Sequence, residues 1–182
     1  GRPLVLYHAT NGDFSTFESG RTAINSTTFG DIETERHAIF ATPDIKFAEE
    51  YFKGKDGANV MPVFMDIKSP IDLREGINGE DISDIVANSD GKIVERDFYY
   101  MSPSQMWQLF DDEFGRNFVD AAKKAGFDGA ILREMSLDRK RDHDVYAAFS
   151  PVQIKSATGN NGQFNPNDPD IRFNVADDAF SV

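Results

Sequence analysis

The stretch AIFATPDIKFAEEYF, Ala38 to Phe52, carries the clearest architectural signal in the chain. The apolar run Ala38 to Ala41 predicts a strand. Thr42 is a good N-cap, and Pro43 suits the first helical position, where a missing N–H costs nothing. Ile45, Ala48, Tyr51 and Phe52 then fall on one helical face, and the helix is expected to stop near Lys53 and Gly54. Strand, tight turn and helix together bring Ile39, Phe40 and Tyr51 close to one another.

Upstream, PLVLYH (Pro3 to His8) predicts a strand buried on both faces that ends on a histidine. Residues 11 to 36 are rich in Ser, Thr, Gly and Asn and show no period. They predict a long loop with a short helix, of the kind that often covers a site. Downstream, NVMPVFMDIKSPIDL predicts a long strand broken at Ser69 and Pro70, and EDISDIVAN a short helix. A Ser102–Gln105 capping box with Pro103 inside it opens a helix through PSQMWQLFDD. EFGRNFVDAAKKAG predicts an amphipathic helix with Phe114, Phe118, Ala121 or Ala122, and Ala125 on one face and Gly126 as C-cap. FDGAILRE and VYAAF, the latter starting at Val145, predict strands, and QIKS a short extension. From Ala157 the composition turns to Asn, Gly, Pro and Asp, as in a tail or linker, with Phe164 and Phe173 as possible clamps. The expected division is a domain over 1–156 and a tail over 157–182. Strands at both ends with helices between them define an α+β order rather than regular alternation.

A length of 182 residues suits one domain with a sizeable core, and 40% apolar content with sixteen Phe is a globular composition. The absence of cysteine excludes disulfides, thiolate chemistry and Cys-based zinc sites. No apolar run is long enough for a membrane span, so no membrane partner is expected. A net charge of −12 disfavours nucleic acid as a partner, because sequence-blind binding needs a cationic surface. The densest basic cluster, DRKRDHD (Asp138 to Asp144), is flanked by acids. There is no HExxH, no GxGxxG, no P-loop and no GxSxG, which argues against a zinc hydrolase, a Rossmann dehydrogenase, a P-loop kinase and a serine hydrolase. No metal is expected.

What remains is His8 at a strand end, Phe40 and Tyr51 on the strand–turn–helix block, and Asp142 and Asp144 before the last core strand. Side chains two apart on a strand share a face, so the two carboxylates point the same way. Each feature has a plain structural alternative. His8 can be satisfied by local hydrogen bonds, Tyr51 can be a core aromatic, and the two acids can belong to a solvated hairpin neutralised by Arg139, Lys140 and Arg141.

LYHAT resembles the Leu-Tyr/Trp-His-Gly-Ser/Thr first strand of ADP-ribosyltransferases of the diphtheria-toxin and poly(ADP-ribose) polymerase type. HAIFATPDIKFAEEY is similar to that family's strand–helix block, and DHDVYAAFSP to its terminal motif, in which an acid opens a strand. PVQIKSATGNNGQFNPNDPDIRF resembles the end of transferase-like domains in phage and mobile-element polyvalent proteins. The likeness covers roughly residues 4 to 52 and 126 to 173.

The resemblance implies a split antiparallel two-sheet α+β fold with helices packed around the sheets, and an NAD-dependent mono-ADP-ribosyltransferase acting on a protein acceptor. It also implies a larger bacterial, toxin-like polypeptide and a cytoplasmic site of action. By the same likeness His8 orients the NAD ribose, and Ala9 and Thr10 complete its motif, with Ala9 where the family prefers glycine. Tyr51 stacks on nicotinamide, Phe40 lines the pocket where Ile39 replaces a family tyrosine, and Arg21 meets the pyrophosphate. Asp144 is the catalytic acid, where many relatives have Glu, while Asp142 and His37 face the acceptor. The alternatives are an NAD glycohydrolase, a transferase for nucleic acid or a small molecule, and an inactive NAD- or ADP-ribose-binding module. The chemistry suits these residue types. Nicotinamide leaves as a neutral ring, so no general acid is required, and the remaining need is support for positive charge on the ribose.

Overall fold

The computed structural model describes residues 4–10, 12, 14–27, 30–50, 59–99, 101–135, 141–158, 165 and 167–172. Among them the chain forms strands β1 (Leu6–Thr10), β2 (Arg21–Thr27), β3 (Gly30–Arg36) and β4 (Ile39–Ala41), then helix α1 (Ile45–Glu50). Strands β5 (Asn59–Met65) and β6 (Pro70–Asp72) lead to helix α2 (Gly79–Ala87) and, after two 3-10 segments, to α3 (Asp112–Lys124). Strands β7 (Gly129–Met135), β8 (Asp142–Ala148) and β9 (Ile154–Ser156) follow.

The protein is α+β. One sheet has the order β1-β5-β9 and is antiparallel. A second has the order β4-β8-β7-β6; its last pair, β6–β7, is parallel, where an antiparallel fold was expected. That pairing follows from the helical crossover between Asp72 and Gly129, since parallel neighbours need a long connection. The two sheets meet at one bridge, in which Tyr7 and Thr42 exchange backbone hydrogen bonds of 2.7 and 3.1 Å.

The short apolar runs of β4 and β8 are explained by burial on both faces. Phe40, Val145 and Ala147 face a main core with Phe110, Phe118 and Leu132. Ile39, Ala41, Tyr146 and Ala148 face a second cluster with Leu6, Phe17, Val63, Ile154 and Ile171. Each large side chain fully buried in this way stabilises the fold by roughly 1.5–3 kcal/mol. The amphipathic pattern of 113–126 is realised in α3, with Phe118, Ala121 and Ala122 buried and Gly126 at φ 99° behind its end.

Several local expectations need correction. Much of the predicted loop over 11–36 is a hairpin, β2–β3, in register from Arg21 opposite Arg36 to Thr27 opposite Gly30. Its polar composition on both faces hides the alternation that marks a half-buried strand. The cap of α1 is Asp44 rather than Thr42: its Oδ1 accepts from the N–H groups of Lys46 at 2.9 Å and Phe47 at 3.3 Å. The buried face of α1 is Phe47 and Ala48, while Ile45 is exposed. The segment Pro103–Phe110 is a 3-10 helix, whose three-residue period lines up the buried Met106 and Leu109. Strand β8 starts at Asp142, three residues before the apolar run.

Candidate active site

His8 is the middle residue of β1, paired with Met61 of β5 and one residue beyond the Tyr7–Thr42 bridge to the second sheet. The Nδ1 of His8 lies 2.7 Å from the carbonyl oxygen of Phe40. A carbonyl only accepts, so Nδ1 carries the proton, and in the neutral ring Nε2 is left as an acceptor. Phe17 meets the imidazole edge-on at 4.8 Å, and Phe14 stands at 6.4 Å. Burial pushes the imidazole pKa below the ordinary histidine value; the Phe40 bond opposes this and the charge of Arg21 adds to it. His8 is therefore held neutral, in one tautomer and one orientation.

Asp144 sits on β8, partly exposed, directly across from Arg133 of β7. Its Oδ2 lies 3.5 Å from Arg74 Nη1, and its Oδ1 3.8 Å from Arg133 Nε. Arg74 is itself gripped by Asp72, with hydrogen bonds of 2.9 and 2.6 Å that hold the Asp72 carboxyl at about 2. Arg133 also meets Glu75 at 2.8 Å. An open cleft with Thr42, Asp44, Asp142 and Asp144 on its wall thus continues past Arg133 toward Asp72 and Arg74.

Backbone register relates His8 to Asp144. The Tyr7–Thr42 bridge sets His8 opposite Ala41, and Ala41 pairs with Tyr146. Opposed residues share a face, and Asp144 shares it with Tyr146 through the two-residue period. His8 and Asp144 therefore lie on one face, two strand spacings across and two residues along, or about 12 Å between backbones. Thr42 ties the two ends together, since its Oγ1 donates to the Asp144 carbonyl at 3.1 Å while its backbone pairs with Tyr7.

The remaining predicted residues divide. Arg21 stands over Phe14 at 5.5 Å, on the His8 side. Ala9 pairs with Val60, and Thr10 is buried, its Oγ1 accepting from the Gly12 N–H. Phe40 turns its ring into the main core, 5.5 Å from Phe110, so its carbonyl rather than its ring meets His8. His37 is buried with its Nε2 3.7 Å from Glu35 and no hydrogen-bond partner for that atom. Asp142 is exposed at the start of β8, opposite Met135. Tyr51, Arg139, Lys140, Phe164 and Phe173 lie outside the described residues.

Sequence reasoning missed Phe14 and Phe17, although an aromatic pair three apart just after the His8 motif is a visible signal. It missed Arg74 and Arg133; pairing FDGAILRE against the next strand in hairpin register would have found the second. His143 was also missed. It stacks on Phe47 at 4.3 Å, and its Nδ1 lies 3.1 Å from Asp44 Oδ2, so it buttresses the α1 cap from the opposite face of β8. Among the described residues no cluster of His, Asp and Glu could hold a metal ion, and no helix is long and apolar enough to cross a membrane.

Fold and register together define an α+β protein with a histidine inside β1 and a carboxylate on β8 that lie on one sheet face, the cleft itself being lined from the Asp144 side. The chain belongs to the family described as ADP-ribosyltransferase in polyvalent proteins, which matches it over residues 1–164 and assigns it to the ADP-ribosyltransferases. No curated protein and no solved structure matches it significantly.

Proposed function

We propose that the chain cleaves the nicotinamide–ribose bond of NAD and transfers ADP-ribose to a protein acceptor, on a split two-sheet scaffold of the ADP-ribosyltransferase kind. The observation that carries this reading is the shared face of His8 and Asp144, whose backbones lie about 12 Å apart, which leaves room for a ligand between the two side chains rather than a direct bond. The residues fit NAD as substrate. The free Nε2 of His8 accepts from a ribose hydroxyl and fixes the sugar. The Asp144 carboxylate stabilises the positive charge that develops on the ribose as nicotinamide leaves. Phe14 and Phe17 supply apolar wall, the Phe40 carbonyl orients His8, Ala9 and Thr10 continue the strand, and Arg21 meets the pyrophosphate. Asp142, exposed at the start of β8, faces the acceptor, whereas His37 is buried behind Glu35. No metal takes part in these steps. The acidic net charge favours a protein over a nucleic-acid acceptor. The family's description as part of polyvalent proteins supports reading the chain as part of a larger polypeptide, and a phage or mobile-element origin with action in the bacterial cytoplasm belongs to this proposal.

One observation favours a second reading. Both Asp144 oxygens face guanidinium groups, which suits a module that binds NAD without turning it over, or one that passes ADP-ribose only to water. A single experiment separates these. NAD labelled in the adenosine half is incubated with the protein and a bacterial lysate, and released nicotinamide is measured beside labelled protein. The transferase predicts both products, each lost in His8→Ala and Asp144→Ala. Nicotinamide without labelled protein identifies a glycohydrolase, and neither product identifies a binding module.

A further inference from the structure

The PDIR segment within the tail motif has no part in the chemistry above, yet its described residues are built into the fold. Ile171 is buried in the second cluster with Phe17, Leu6 and Ile154. Its N–H donates to the Ser15 carbonyl at 2.8 Å, and its own carbonyl accepts from the Ser156 N–H at 2.7 Å. Asp170 bridges Thr16 in antiparallel fashion. The segment is thus stitched on one side to the free edge of β9 and on the other to the Ser15–Thr16 backbone. Lys155 fixes it from below. This lysine is only 2% exposed, and its ammonium donates to the carbonyls of Asp168 and Asp170, both at 2.6 Å. A buried ammonium is costly unless hydrogen-bonded, so the two carbonyls and the lysine hold each other in place.

The neighbours of Ser15 and Thr16 give this stitch its meaning. Phe14 and Phe17 flank that pair, stand 4.8 Å apart edge to face, and both approach the His8 ring. We propose that Asp168–Arg172 is a strap, locked by Lys155 and Ile171, that presses the Phe14–Phe17 arch onto His8 and so sets the shape of the NAD ribose pocket. The residues of the strap are positioning residues: they act through Phe17 and do not touch the sugar. The strap's effect on catalysis rests on the proposed function, whereas its effect on His8 does not.

Lys155→Met and Ile171→Ala are made in the full chain, and three quantities are read. Trp107 packs against the main core, away from the strap, and its fluorescence reports whether that core is intact. The NMR titration of His8 reports its enclosure, and steady-state nicotinamide release gives KM for NAD and kcat separately. Released from the arch, His8 is expected to titrate closer to about 6.5, the value of an open imidazole. KM is expected to rise about tenfold with kcat changed less than about twofold, the pattern of lost binding rather than lost chemistry. If both variants keep their main core and leave the His8 titration and KM as in the parent, the strap does not position the site. Unfolding of both variants would equally overturn the proposal, which gives the strap a local task; if only one unfolds, the other decides. If the parent protein releases no nicotinamide, the enzyme reading fails, and the His8 titration alone decides the strap.

Discussion

Arg133 lies directly across the β7–β8 ladder from Asp144, and its Nε reaches to within 3.8 Å of one carboxylate oxygen while Arg74 faces the other. The carboxylate is therefore held in one attitude by two cations, yet about a third of it remains open to the cleft. Asp144→Asn keeps the shape and removes the charge. Nicotinamide release is expected to fall about 10²–10³-fold, the scale of losing one preorganised electrostatic contact. Stability in urea should change by less than about 1 kcal/mol, because partly exposed ion pairs contribute little. Steady-state kinetics beside a denaturation curve checks both halves; an equal loss of activity and fold would make Asp144 structural.

His8 gives a pH dependence with a definite sign. Burial lowers its folded-state pKa, so between the lowered value and about 6.5 the unfolded chain binds the extra proton and the folded chain does not. The stabilisation from a neutral, buried His8 is complete above that window and is lost as pH falls through the folded value. Urea midpoints between pH 5 and 8 should fall on the acid side, and the slope should flatten in His8→Gln. Nicotinamide release should fall in the same direction, since a protonated Nε2 no longer accepts from a ribose hydroxyl.

The β2–β3 hairpin is fastened to the main core through Arg36. Its guanidinium forks onto Asp111 at 2.9 and 3.2 Å and stands over Phe40 at 5.0 Å and Trp107 at 5.6 Å. Arg36→Ala strips this pair from a carboxylate that is 8% exposed, and a loss of about 3 kcal/mol is expected. Trp107 emission should change in the folded state, because the cation above its ring is gone. A stability loss without a spectral change would separate the pair from the stacking.

Gly115 closes the first turn of α3, where its N–H donates to the Asp111 carbonyl at 2.8 Å. A Cβ there would collide with the Phe110 backbone. Gly115→Ala should cost about 1–3 kcal/mol despite the better helix propensity of alanine, because the obstacle is backbone and cannot swing aside. Thermal melting checks this; a stabilised variant would show that α3 slides freely.

The parts legible in the sequence are those with a short-range cause. β4, the break at Ser69–Pro70, α2 and α3 follow from apolar period and capping chemistry, and Gly126 behaves as the terminator its position implies, whereas β1 starts only at Leu6, leaves Leu4 and Val5 exposed and runs past His8 to Thr10. The β2–β3 hairpin was illegible because its strands carry polar residues on both sides. The cap of α1 was misplaced because Thr42 and Asp44 both accept from backbone N–H groups two residues on, and only Asp44 reaches the first turn of the helix at Lys46 and Phe47. For the site, His8 and Asp144 were visible through their motif, and register relates them. Arg74, Arg133 and the Phe14–Phe17 arch depend on how strands from distant parts of the chain lie together, which no local pattern encodes. The PDIR segment was visible as a motif but gave no hint that Lys155 would seat it.

The pairing of Ser15 with Ile171 has a bearing on synthesis. A polypeptide emerging from the ribosome already contains the imidazole and the carboxylate by the time Asp144 appears, but the wall beside His8 is still missing. Translation must run on through Arg172 before that wall can close. On the strap proposal, a nascent chain stalled before this point would carry His8 and Asp144 beside a looser pocket, so full affinity for NAD would arrive only with the residues of the strap.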